Sequence, residues 1–427
     1  MKLYHFNRMP AEALLIRSAE KSGVGDAVRA ILADVEARGD EALLEYTRRF
    51  DSPAVTSLEV TPREIDEAVG RTDREFLRVL ERAAENIRDF HARQMPRGFR
   101  IDRPDGSYLG IKVTPIENVG LCIPGHTAAY PSTVLMTAIP ARLAGCSRLV
   151  MVSPPGPDGR QSDAILAAAR IAGVDRVFRL GGAQGVAALA YGTETVPRVD
   201  KIVGPGNAYV AEAKKQVYGL VDIDMIAGPS EILVIADDTC DPALAAADLL
   251  SQAEHDVLAS AVLVTDSPAL ARAVNAEVER QLALLPRETI ARRSVEDNGK
   301  IIVTDDLLSA VEAANALAPE HLEICVDDPA PFLERVRNAG SVFLGKYSPE
   351  ALGDYLAGPN HTLPTAGAAR FSSPLGVEDF VKKIQYTCFT PEALRAVSDD
   401  VALFARREGL EAHARSALAR FDREVLS

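Results

Sequence analysis

"EILVIADDTCDPALAAADLLSQAEH", Glu231 to His255, joins an apolar run to an alanine-rich segment across a short polar turn. The apolar run reads as a strand buried on both faces, the kind found in parallel sheets. Asp241 is placed to cap the helix that follows. Pro242 fits its first turn, where the missing N–H costs nothing. The same unit recurs along the chain. "RLVMVSPP" precedes "SDAILAAARIAG", "DRVFRLGG" precedes "AQGVAALAYG", and "DKIVGPG" precedes "NAYVAEAKKQVYG". "SAVLVTDS" precedes "PALARAVNAEVERQLALL", "GKIIVTDD" precedes "LLSAVEAANALAPEH", and "GSVFLG" ends the series. Strands alternating with helices predict an α/β protein with helices on both faces of each sheet. The series is long enough for two doubly wound, Rossmann-like parallel-sheet domains.

The flanks have a different texture. Up to about residue 100 the spacing of apolar residues predicts helices, as in "VGDAVRAILADVEARGDEALLEYTRRFD". Gly39 and Asp40 break this stretch, with Asp40 a plausible cap, and Thr61–Pro62 opens another helix that carries on toward His91. His91 reads as a solvated or partly packed helix residue. After "GSVFLG" comes "YSPEALGDYLAGPNHTLPTAGAARFSSPLG", rich in Gly, Pro, Ser and Asn. An irregular stretch of this length inside a compact protein is usually functional. The end of the chain returns to helix.

Composition sets limits. The chain has 427 residues, 47% hydrophobic and 25% charged, with a net charge of −14. That charge argues against nucleic acid as the main partner, since binding phosphate needs a basic surface. No apolar run approaches the ~18 residues that a bilayer span requires. The start, "MKLYHFNRMPAEALLIRS", lacks a basic-then-apolar leader pattern, so a cytoplasmic location is expected. The cysteines are Cys122, Cys146, Cys240, Cys325 and Cys388, with no C-x-x-C pair. Neither a disulfide framework nor a thiolate zinc site is indicated.

Two glycine turns, "LGGAQG" (Leu180–Gly185) and "VGPGNAYV" (Val203–Val210), each follow a strand and open a helix. N–H groups at such a helix start favour anions, phosphates included. Neither turn matches G-x-G-x-x-G, so each is equally readable as a plain strand-to-helix connection. "IPGH" (Ile123–His126) is a third and weaker turn of this kind.

Four of the seven histidines sit beside carboxylates or amides at element ends or in the Gly/Pro loop. Gln252 and His255 share one helix face at i, i+3. His321 follows Glu320 in "APEHLEI"; His361 lies in "GPNHTLP", seven residues after Asp354; His413 lies five residues after Glu408. Each taken alone reads as a capping or packed histidine. Together they suit a zinc-like divalent ion held by N and O ligands, or a Glu–His pair that moves protons. Spacing does not choose between these.

The blocks "GGAQGVAALAYGTETVPRVDKIVGPGNAYVAEAKKQV", "AGPSEILVIAD", "LLSQAEH", "APEHLEI", "GDYLAGPNHTLPT" and "FSSPLGVEDFVKK" resemble the histidinol dehydrogenase family, in one order over nearly the whole chain. The resemblance implies an aldehyde/histidinol dehydrogenase-like fold and a cytoplasmic homodimer with one Zn²⁺ per subunit. It implies NAD-dependent oxidation of L-histidinol through L-histidinal to L-histidine, the end of histidine biosynthesis. Gln252, His255 and Asp354 would be zinc ligands, completed by His413 of the partner subunit. Glu320 and His321 would be the acid–base pair, His321 a base near neutral pKa and Glu320 the activator of water. Ser230, His361 and Glu408, the last also from the partner, would contact substrate, as would the zinc ligands and His321. Gln184 and Asn207 would contact NAD. The turn "GLCIPGH" departs from the family, with Cys122 and His126 where it has Tyr and Gly. Cys122 therefore stands at a cofactor position, and Tyr130 is a candidate replacement for the lost aromatic.

The implied division is a segment at 1–20, a larger α/β domain at 21–121 plus 233–374 with the zinc and acid–base residues, a second α/β domain at 122–232 with the NAD turns, and a helical tail at 375–427 reaching the partner. Three other functions stay open at this point. One is a sister zinc/NAD dehydrogenase of another small polar alcohol, such as a sulfonated diol. Another is a zinc hydrolase, which would leave the glycine turns unexplained. A non-catalytic homologue would be expected to lack Glu320 or His321, and this chain has both.

Overall fold

The computed structural model describes residues 1–8, 23–125, 129–422 and 424. The chain forms two units. One comprises Met1–Gln94 with Ile116–Phe380, the other Met95–Pro115 with the C-terminal segment from Val381.

The first unit holds two six-stranded sheets. In one, the strands lie in the order Lys2–His5, Lys300–Val303, Ser260–Thr265, Glu231–Ala236, His321–Cys325, Ser341–Leu344, all parallel. Every residue of Glu231–Ala236 is buried, as a central parallel strand requires. Its alternate side chains enter two apolar clusters, Ile232 and Val234 on one face, Leu233 and Ile235 on the other. The helix Pro242–Ala253 starts as its sequence predicts, with the Asp241 carboxylate accepting from the Ala243 N–H at 2.8 Å and proline in the first turn. It packs Leu249 and Leu250 on the sheet and runs back toward the amino ends of the strands.

The second sheet has the order Glu59–Val60, Arg176–Arg179, Arg148–Ser153, Asn118–Cys122, Lys201–Val203, Asp222–Ile223. Only the Glu59–Val60 edge is antiparallel. The strand order changes direction between Asn118–Cys122 and Lys201–Val203. In open α/β sheets the crevice outside the carboxyl ends at such a point is where nucleotides bind.

Several boundaries differ from those implied by the sequence. Asn118–Cys122 and Glu59–Val60 belong to the second sheet. The helices Gly25–Arg38 and Asp40–Phe50 pack on Gly182–Tyr191 of that sheet, through Val28, Ile31, Val35 and Leu43. Much of residues 21–121 thus covers the cofactor-type sheet. Lys2–His5 is an edge strand of the other sheet. Asp40 is no cap; Gly39 takes that place at φ +54°, and Asp40 accepts from the Thr193 hydroxyl instead. Thr61 does cap its helix, in a reciprocal pair with Glu64. His91 is fully buried, its Nδ1 2.7 Å from Gln94 Oε1.

The second unit is not wholly helical. Val381–Cys388, Tyr108–Pro115 and Phe99–Asp102 make an antiparallel sheet. Thr390 then caps the helix Pro391–Arg407, which packs on Glu411–Leu418 through Ala402, Ala405 and Ala414. Phe404 on the same helix is 69% exposed. No described helix is long and apolar enough to cross a membrane.

Candidate functional site

Glu320 and His321 stand where the chain enters the His321–Cys325 strand, at the amino edge of the first sheet. Parallel pairing sets His321 opposite Ile232, so the neighbouring strand's first residue, Glu231, lies beside the pair. Glu231 fixes both side chains through its backbone. Its N–H donates to Glu320 Oε2 at 2.8 Å, and its carbonyl accepts from His321 Nδ1 at 3.0 Å. A carbonyl can only accept, so Nδ1 carries the proton and the lone pair sits on Nε2. His321 is 4% exposed and Glu320 7%. Burial pushes His321 down to about 4, against the Asp354 charge. It is therefore neutral at physiological pH, lower than the near-neutral base the sequence suggested. Burial also holds the Glu320 carboxyl well above the usual range, opposed by the Glu231 N–H.

The helix Pro242–Ala253 ends against this pair. Gln252, in its last turn, is 1% exposed, and its Oε1 and Nε2 find no hydrogen-bond partner among the described residues. Two unmade bonds on a buried amide cost about 1–3 kcal/mol each. His255 follows in the turn, its N–H on the Gln252 carbonyl at 3.1 Å. Asp354 comes from the short helix Glu350–Tyr355, and its Oδ1 lies 3.4 Å from His361 Nδ1. His361 Nε2 reaches Thr133 Oγ1 at 3.2 Å, which ties the Gly/Pro loop to the helix Pro131–Ala144 of the second sheet. Burial would raise Asp354, but the His361 bond and the His361, His321 and His255 charges outweigh it and take it to about 2. Ligand atoms of His321, Glu350 and Asp354 lie within 4.8 Å of one another, close enough to share an ion.

The structure thus brings together Gln252, His255, Glu320, His321, Asp354 and His361. Ser230 directly precedes Glu231, half-buried, its carbonyl held by the Ser260 N–H at 3.0 Å. Glu408 and His413 belong to the second unit, both exposed. A cleft of about 270 Å³, lined by His321, Phe343, Asp354, Asn360 and His361, opens on the first group. Its donors are N and O atoms, and the Gln252 amide offers an oxygen that no described residue satisfies. That set fits zinc.

Glu350 escaped the sequence reading. It is 2% exposed, its Oε1 has no hydrogen-bond partner among the described residues, and that oxygen lies 3.6 Å from His321 Nε2. Burial and the Asp354 charge push it up to about 8. Its spacing of four from Asp354 on one helix was the available signal.

At the carboxyl edge of the second sheet the glycine turns line up. Gly182 opens its helix at φ +58°, and Gly204 at φ +109° passes so close to the Cys122 carbonyl that a side chain would not fit. A buried Lys214–Asp224 ion pair clamps that second turn: Lys214 Nζ donates to the Gly204 carbonyl at 2.9 Å, and the Gly204 N–H donates to Asp224 at 2.7 Å. Asn207 caps the helix that follows, accepting from Tyr209 and Val210. Gln184 is buried, its Nε2 3.4 Å from Asp51 Oδ2. Asp51 and Gly125 line a cleft of about 670 Å³ at the same edge. Asp51 was also missed. Cys122 ends its strand at 5% exposure, and burial pushes its thiol up to about 12. Tyr130, half-buried, directly precedes the helix Pro131–Ala144; His126 lies outside the described residues.

Residues 16–421 match the family described as histidinol dehydrogenase. A histidinol dehydrogenase of Bacillus subtilis is 52% identical over 413 residues, 96% of this chain and 97% of that protein. One from Geobacter metallireducens is 54% identical over 417 residues, 96% of this chain and 95% of that protein. Among solved structures, the histidinol dehydrogenase of Elizabethkingia anophelis superposes with a TM-score of 0.93 at 37% identity, covering 100% of this chain and 99% of that one.

Proposed function

The chain belongs to the histidinol dehydrogenase family, and on that premise we infer that it oxidises L-histidinol through L-histidinal to L-histidine, using NAD and zinc. Zinc would be held by Gln252, His255 and Asp354 with His413 of the partner subunit, and would supply a template that orients the substrate. NAD would lie against Gln184 and Asn207 and would supply the hydride acceptor for both oxidations. The remaining steps belong to the chain's own side chains.

His321 is the base. Its Nε2 lone pair, exposed to the cleft because Nδ1 is tied to Glu231, takes the hydroxyl proton as the hydride leaves carbon. The proton makes His321 an imidazolium 3.6 Å from Glu320 Oε2. A positive charge at that distance favours the ionised carboxylate, which burial otherwise disfavours. Glu320 is then in the form that can draw a proton from water as it adds to the aldehyde. The first oxidation thereby prepares the second. Ser230 and His361 contact the substrate, joined by Glu408 of the partner subunit. Tyr130 stands in for the aromatic cofactor contact that Cys122 lacks.

The protein acts as a cytoplasmic homodimer in this reading, each site completed across the interface. The exposed Phe404 beside the Glu408–His413 segment supports a covered surface there. The sister dehydrogenase of another polar alcohol is not favoured, given identities of about half over nearly full length to histidinol dehydrogenases.

The observation that carries the metal assignment is the buried, unpartnered Gln252 amide. Gln252→Ala and His255→Ala should each lose zinc and turnover of L-histidinol together, by metal analysis and steady-state NADH formation. Full zinc content in both variants would sink the assignment.

A further inference from the structure

We propose that Glu350 sets the orientation of the Gln252 amide, holding its Nε2 so that its Oε1 faces the metal. The inference rests on the zinc site proposed above and adds a residue outside its ligands.

A glutamine side chain has two orientations of nearly the same shape, and only its oxygen binds a metal. Something must choose between them. Gln252 leaves both amide atoms buried without a hydrogen-bond partner among the described residues. Glu350 lies beside it and leaves Oε1 buried in the same condition. The amide nitrogen can only donate, and the carboxyl oxygen of Glu350 that carries no proton can only accept. Two adjacent buried groups of opposite kind satisfy each other with a small rotation, and that rotation leaves Oε1 of Gln252 for the ion.

Glu350 is well anchored for this task. Its N–H donates to the buried Glu323 Oε1 at 2.7 Å, which pins the start of the helix that also carries Asp354. Its Oε2 accepts from Ser251 Oγ at 3.3 Å, and Ser251 is the neighbour of Gln252 in the chain. The Glu350 carboxyl therefore reaches from the Asp354 helix to the end of the Pro242–Ala253 helix, beside Gln252. Partners of this kind, behind the ligands, typically change metal affinity about ten- to a hundredfold when removed. Glu350 also lies 3.6 Å from His321 Nε2, so a role confined to His321 is the rival to be separated.

The test is Zn²⁺ affinity of the full-length protein, measured by competition with a chelator, in Glu350→Ala, Glu350→Leu and Glu350→Gln. The alanine and leucine variants should bind zinc about tenfold or more weakly. Glu350→Gln, whose side-chain oxygen still accepts, should keep the parent affinity. Adding Glu350→Ala to Gln252→Ala should cause no further loss, because Glu350 acts through Gln252. Circular dichroism checks the fold of each, and the leucine variant, which fills the space, serves if the alanine variant does not fold. Folded Glu350→Leu with parent zinc affinity and reduced turnover would overturn the proposal in favour of the His321 role. An equal loss with and without Gln252 would overturn it as well. Parent affinity in Gln252→Ala itself would remove the zinc site and this inference together, an outcome distinct from either of these.

Discussion

At the scale of single residues, Glu320–His321 shows how far a dipeptide can be read. The pairing of types was legible and suited proton transfer, but spacing did not choose between that, a metal ligand and a packed histidine. The protonation states were not, because both depend on burial and on the backbone of Glu231, which is 89 positions away from Glu320. Neutral His321 with its lone pair on Nε2 is a property of the sheet register, not of the local sequence. His321→Ala is expected to lower turnover by about 10²–10⁴-fold, the usual worth of a positioned base, with zinc content unchanged. Steady-state rates and metal analysis on the same preparation check this. Glu320→Gln should stop the sequence halfway, since hydration of the aldehyde needs the carboxylate. NADH formed per histidinol consumed should fall from two toward one, with aldehyde trapped by a carbonyl reagent. A stoichiometry still at two would remove Glu320 from that role.

At the scale of elements, the parallel strands and their helices were readable because burial on both faces demands continuous apolar runs. The strands of the second unit were not. "VKKIQYTC" is largely exposed and mostly polar, so it offers no apolar run, and its partner Tyr108–Pro115 lies far back in the sequence. The short helix carrying Glu350 and Asp354 sits inside a Gly/Pro-rich stretch that obscures any periodicity. The strand His321–Cys325 hides a carboxyl as well. Glu323 is buried, and burial together with the Asp248 charge pushes it up to about 9. The unfolded chain would release that proton near about 4.3. Between those values the folded state holds the extra proton, so stability from this group falls as pH rises toward 9. Glu323→Gln should therefore flatten the loss of stability between about pH 5 and about pH 8.5 and raise the melting temperature at the alkaline end. Calorimetry at the two pH values checks the sign; a variant less stable than the parent at the higher pH would contradict it.

At the scale of the whole molecule, two parallel sheets were visible in the alternation of strand and helix. Their membership was not, because helices before residue 50 cover a sheet whose strands come mostly after residue 117. Spacing left the histidines undecided between caps and ligands, and only the likeness to a family implied a role for each. The structure adds the orphaned Gln252 amide, a physical reason for a ligand there. The proposed shared site takes Glu408 and His413, both exposed in the second unit, from a neighbouring copy. Mixing inactive His413→Ala with inactive Gln252→Ala subunits should restore part of the activity, since one of the two sites in a mixed dimer regains all its ligands. No recovery despite demonstrated subunit exchange would rule out a shared site. The central claim is a double oxidation of one substrate at one centre, and counting products tests it most directly. With L-histidinol and excess NAD, two NADH should form for each L-histidine. One NADH per substrate with aldehyde as the end product, or none, would contradict the account.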